Sequence, residues 1–136
     1  MKQDFDSIIL IPSIFTSQVT ALHLAAQFKS SASVVRALIA AGANVNARTG
    51  SQNSPLHYAA LSNPEAVPVL LKAGADPNML NKGQWSPLFY AAENNFKESV
   101  IALCDAGADP RLGKSPLEDT GVREGIKDLI KEKLRL

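Results

Sequence analysis

Cysteine, histidine and tryptophan are almost missing from this chain. Its 136 residues hold one cysteine, two histidines and one tryptophan. The lone Cys104 excludes an internal disulfide and agrees with a reducing compartment. A metal or acid–base centre needs several groups to converge, and neither His23 nor His57 has a carboxylate or a cysteine beside it in its motif. No catalytic residue, metal or cofactor is therefore expected. Excess charge is missing too: fourteen basic against thirteen acidic side chains leave +1, a field too weak to gather phosphate backbones or an anionic membrane. Near the N-terminus Ile8-Ile-Leu-Ile11 is apolar, but Pro12 interrupts it, and Asp4 and Asp6 stand where a signal peptide carries positive charge. Neither secretion nor a membrane span is expected, and a cytoplasmic location follows. No phosphate-binding loop is present, because Gly42, Gly74 and Gly107 are each followed by one Ala and an acidic or amide residue rather than by Gly-Lys-Ser/Thr.

What is present is repetition. Ser-Pro-Leu occurs at Ser54, Ser86 and Ser115, with a looser Thr-Ala-Leu at Thr20, and Gly-Ala-Asp/Asn occurs at Gly42, Gly74 and Gly107, which stand 32 and 33 residues apart. A fixed period of this size marks a stacked architecture in which each unit buries its apolar face on a neighbour. The Thr or Ser of each motif is suited to cap a helix, and Pro55, Pro87 and Pro116 fall at the first helical position. The Ala-Ala pairs that follow let helices approach closely. Apolar residues then return at i, i+3, i+4: Val35, Leu38, Ile39; Val67, Leu70, Leu71; Val100, Leu103, Cys104; Ile126, Leu129, Ile130. Burial in that stripe is the expected role of Cys104. Pro68 demands that its helix start late, near Glu65 to Val67, or bend. Gly42, Gly74 and Gly107 close the second helices.

Three segments, Thr20-Ala-Leu-His-Leu-Ala-Ala26, Ser54-Pro-Leu-His-Tyr-Ala-Ala60 and Ser86-Pro-Leu-Phe-Tyr-Ala-Ala92, each followed by a Gly-Ala-Asp/Asn close, resemble the ankyrin repeat. The resemblance implies an all-α repeat fold, a solenoid of antiparallel helix pairs with hairpin fingers. It divides the chain into an N-terminal cap or tail over 1–19, three repeats over 20–114 and a degraded capping repeat over 115–136. In the first segment, Asp6 could cap a short helix that Pro12 ends, with Ile8 to Ile11 covering the first repeat. Asn63 and Asn95 occupy the family's left-handed glycine position, and Lys29 in that place predicts an irregular turn. The third finger is cut short between Arg111 and Ser115, Thr120-Gly121 weakens the fourth repeat's first helix, and Lys127, Lys131, Glu132, Lys133 and Arg135 form a polar outer face. His23 and His57 share a slot in which the family uses a structural hydrogen bond, and Tyr58 and Tyr90 share one suited to stacking between repeats.

The resemblance also implies a non-catalytic module that binds another protein through its concave face, with no nucleic acid or membrane partner and as a monomer. Variable positions of the first finger are Arg48, Thr49, Ser51 and Asn53; of the second, Leu80, Asn81, Lys82 and Trp85; and of the inner helices, Gln27, Leu61, Glu93 and Asn94. Trp85 either anchors the interface or packs on Leu80 or Tyr90 within its finger. Alternative readings are an inhibitory or regulatory subunit of an enzyme, an ankyrin segment of a larger effector or signalling protein, and an enzyme built on His57, Tyr58 and Tyr90.

Overall fold

A computed structural model of the chain describes residues 18–29 and 31–136. The expected N-terminal helix, with Asp6 and Ile8 to Ile11, lies outside them. Among the described residues there are seven helices and no strand: α1 (Ala21–Gln27), α2 (Ala32–Ala40), α3 (Pro55–Ser62), α4 (Ala66–Lys72), α5 (Pro87–Glu93), α6 (Lys97–Asp105) and α7 (Glu124–Leu134). The helices pair as α1 with α2, α3 with α4 and α5 with α6. The first members stack on one another as an inner row, the second members as an outer row, and α7 closes on α6. Helices of seven to nine residues are marginal alone in water, so this stacking is what stabilises them.

Each inner helix starts as its sequence dictates. Thr20, Ser54 and Ser86 hold an extended backbone, and each hydroxyl accepts from the N–H three residues on, at 3.3, 3.3 and 3.1 Å. Each outer helix of the three pairs ends on a left-handed glycine. At Gly42, Gly74 and Gly107 φ is 99, 100 and 95°, and the following Ala43, Ala75 and Ala108 N–H groups reach back to the carbonyls of Leu38, Leu70 and Leu103 at 3.0, 3.0 and 2.9 Å. Between these ends Leu22, Leu56 and Leu88 of the inner row and Val35, Val67 and Val100 of the outer row are fully buried, as are Ala59 and Ala60. Removing a leucine from such a site costs about 2–5 kcal/mol.

Four expectations are refined or corrected. Pro68 falls in the first turn of α4, which begins late, at Ala66, so its missing N–H would have had no partner anyway. Asn95 is left-handed with φ 58°, but Asn63 is not: φ is −139° and ψ 78°. Pro64 follows it, and the proline ring drives the preceding residue into the extended region. Asn63 serves another purpose: buried, it donates from Nδ2 to the Phe28 carbonyl at 2.8 Å and to Ser31 Oγ at 3.3 Å, holding the irregular turn of the first repeat. In the fourth unit Pro116 starts no helix. Ser115 Oγ accepts from Leu117 N–H, two residues on, and Asp119 Oδ1 takes the Gly121 N–H at 2.7 Å, local bonds that compete with a helix. Finally, Lys127 is not on the polar outer face of α7 but buried, paired through Nζ with Glu124 at 3.0 Å; Lys133 of that face reaches back to Asp105 of α6 at 2.8 Å.

Candidate interaction surface

The two full fingers are hairpin loops of one design. In the first, Thr49 N–H donates to the Asn53 carbonyl at 2.9 Å and Gln52 N–H to the Thr49 carbonyl at 2.8 Å. In the second, Asn81 N–H donates to the Trp85 carbonyl at 3.1 Å and Gln84 N–H to the Asn81 carbonyl at 2.9 Å. This loop ends on a left-handed residue, and glutamine supplies it: φ is 66° at Gln52 and 65° at Gln84. Gln18, at φ 49°, holds the same place two residues before Thr20. The recurrence of glutamine two residues ahead of each capping hydroxyl is the signal in the sequence that marks this place. Neighbouring fingers are joined edge to edge, Lys82 N–H to the Ser51 carbonyl at 3.0 Å and Lys114 N–H to the Gln84 carbonyl at 2.8 Å.

The histidines fasten each finger to the helix pair behind it. His57 Nδ1 accepts from Ser54 N–H at 3.0 Å and lies 2.9 Å from Ser54 Oγ, while Nε2 donates to the Trp85 carbonyl at 2.9 Å. His23 repeats the arrangement one unit earlier, with Nε2 3.0 Å from the carbonyls of both Ala47 and Asn53, on the two arms of the first finger. Burial holds the His57 imidazole down at about 4, against the pull of the Trp85 and Met79 carbonyls and assisted by the charge of Arg48. It is a neutral structural bracket at ordinary pH. Phe89 takes the histidine slot where the next finger is shortened and offers no second arm to fasten. It packs edge-on against the Trp85 ring, with centroids 4.4 Å apart. Tyr58 and Tyr90 sit edge-on to His23 and His57 of the preceding repeat, at 5.2 and 6.0 Å.

A second ladder runs below the fingers. Asn46 donates from Nδ2 to the Gly74 carbonyl at 3.1 Å and accepts at Oδ1 from Asp76 N–H at 2.8 Å. Asn78 does the same to Gly107 and Asp109, at 3.1 and 2.8 Å. Each bond spans successive repeats, so the register of one finger is copied to the next.

The residues expected at the interface separate into two groups. Arg48, Ser51 and Lys82 on the fingers and Gln27, Leu61, Glu93 and Asn94 on the inner helices are exposed, and Asn53 and Leu80 are half-buried. Thr49 and Asn81 are buried, at 3% and 6% exposure, and offer a partner almost no surface. Their polar groups shape the loops instead. Thr49 Oγ1 accepts from Asn53 N–H at 3.1 Å. Asn81 Oδ1 takes the N–H groups of Gly83 and Trp85, both at 3.0 Å, and its Nδ2 reaches Asn53 Oδ1 and the Tyr90 hydroxyl. Trp85 is half-buried, stacked on Tyr90 at 5.8 Å with the rings nearly parallel, and Lys114 Nζ lies 4.3 Å over it. Lys114, together with the exposed Leu24 of the first repeat, adds to the surface residues named from the sequence; Phe28, a variable position beside Gln27, is exposed as well. Lys114 was missed because its finger is truncated.

Among the described residues no group of three or more His, Cys, Asp or Glu side chains could hold a metal, and no helix is long and apolar enough to cross a membrane. Burial pushes the Cys104 thiol up to about 11, which keeps it protonated and poorly nucleophilic. A family model described as ankyrin repeats (3 copies) matches residues 8–81 and again 56–132. No curated protein matches the sequence.

Proposed function

The chain belongs to the ankyrin repeat family, whose repeats are generally protein–protein interaction modules, and from that premise we propose that it is a non-catalytic module gripping a partner protein with its fingers and inner helices. One observation supports this above the others. Every full finger is held from behind by a buried histidine and from below by an asparagine ladder, while Arg48, Ser51 and Lys82 at its edge are exposed. A surface organised before the partner arrives loses little conformational entropy on docking. The enzyme reading finds no support at His57, whose two ring nitrogens are both engaged and whose basicity burial has lowered. A cytoplasmic site of action and a monomeric state complete the proposal.

The low reactivity of Cys104 makes a site-selective test practical. A photocrosslinker is attached to Ser51→Cys on the first finger or to Lys72→Cys on the outer row, and each protein is used for capture from a lysate. A partner crosslinked from position 51 and not from position 72 is the expected result. The reverse pattern would place the contact on the outer row and end this reading.

A further inference from the structure

Charge at the finger edge is of one sign. Arg48 lies on the first finger, Lys82 on the second and Lys114 on the shortened third, all exposed, and no Asp or Glu occurs within residues 47–54, 79–86 or 110–115. Elsewhere in the second half of the chain Arg111 pairs with Asp109, Lys127 with Glu124 and Lys133 with Asp105, while exposed Lys72, Lys97, Arg123, Lys131 and Arg135 are scattered over the helices and their ends rather than aligned on the fingers. Among the described residues none of the three finger cations is in an ion pair. Arg48 donates only to Gln52 Oε1 of its own finger, at 3.1 Å, and the Lys114 ammonium rests on the Trp85 ring. The backbone bonds from Lys82 to Ser51 and from Lys114 to Gln84 join the three fingers into one edge. The Arg48 charge reaches buried His57 and, after burial itself, helps lower its basicity.

Resting on the module reading above, we propose that this edge recognises an extended acidic segment of the partner, which sets carboxylates against Arg48, Lys82 and Lys114 in turn. Packed helix layers repeat at about 8–10 Å, and an extended chain advances about 3.3 Å per residue. A carboxylate at every third residue therefore keeps step with the fingers. A nucleic acid fits less well, because the net charge of +1 gives no broad positive field and the cations form one narrow row. Exposed ion pairs are individually weak, so the edge selects and orients the segment more than it tightens the complex.

The test uses the full chain and a fluorescent peptide of repeating Glu-Ser-Gly, with repeating Gln-Ser-Gly as its neutral control, followed by anisotropy. The acidic peptide is expected to bind, to weaken as salt rises to about 0.3 M, and to lose about three- to tenfold in affinity in the double variant Lys82→Gln, Lys114→Gln. The outer-row pair Arg36→Gln, Lys72→Gln should change nothing, and equal melting temperatures confirm that all variants are folded. The proposal is overturned by equal binding of the neutral peptide, by no binding of the acidic one up to about 1 mM, by an equal loss in the outer-row pair, or by a thymidine oligonucleotide that binds more tightly than the acidic peptide. Crosslinking separates this inference from the reading beneath it. A partner that still crosslinks from position 51 but is indifferent to Lys82→Glu, Lys114→Glu removes the acidic segment alone, whereas absence of crosslinks from position 51 removes both.

Discussion

The first and second helix pairs carry nearly the same pattern, yet they are not equally buried. Val34, Ala66 and Ser99 occupy one slot of successive outer helices, and they are 51%, 0% and 1% exposed. Leu38 is half-buried where Leu70 and Leu103 are fully buried, and Ala25 is half-buried where Ala59 and Ala91 are closed off. Val35, by contrast, is as deeply buried as Val67 and Val100. The difference lies at the slots of Ala25, Val34 and Leu38, while the Val35 slot is closed in all three pairs. A repeat thus encloses its own seam between two helices and borrows the rest of its burial from the repeat before it, which for α1 and α2 has no counterpart among the described residues.

Truncation of one slot at two depths offers the sharpest way to break this comparison. Leu70→Ala should lose about 2–5 kcal/mol, the range for a leucine removed from a packed core, and Leu38→Ala about 1–2 kcal/mol. Urea unfolding of both variants measures this, and equal losses would mean that the first pair is as well covered as the second. The histidine bracket gives the next effect. Because His57 is held at about 4 when folded and titrates near 6.5 when unfolded, the unfolded chain binds the extra proton first as pH falls. Its contribution is whole above pH 6.5, is lost progressively down to about pH 4 and then levels off, a difference of about 3 kcal/mol. His57→Gln should remove that part of the pH dependence while lowering stability at neutral pH. A pH slope identical to that of the unaltered protein would show that the ring is not the titrating group. The smallest effect comes from exchanging residues in the shared slot. Ala66→Val should destabilise by about 1–3 kcal/mol through overpacking, and Val34→Ala by about 0.5 kcal/mol.

Much of this architecture is legible residue by residue. Thr20, Ser54 and Ser86 announce helix starts and Gly42, Gly74 and Gly107 helix ends, because capping and left-handed closure depend on a few neighbouring atoms. Where the structure departs from the pattern, a second local demand outweighs the first. Asn63 is governed by Pro64, and Ser115-Pro116 by the turn at Asp119 and Gly121. The candidate surface was legible in outline only. Finger positions vary visibly along the chain, but whether such a side chain faces outward depends on what it bonds, and Thr49 and Asn81 turned inward to close their loops.

The one-dimensional pattern determined the period, the apolar stripe and the helix ends marked by Thr20, Ser54, Ser86, Gly42, Gly74 and Gly107, since each cap depends on atoms a few residues apart. The tertiary structure alone decided which cations line up along the finger edge, which histidine nitrogen meets which carbonyl, and how deeply each copy of a slot is buried. Those outcomes join residues about one repeat apart or more, as in His57 with Trp85 and Lys114 with Gln84, and only stacking brings such residues into contact.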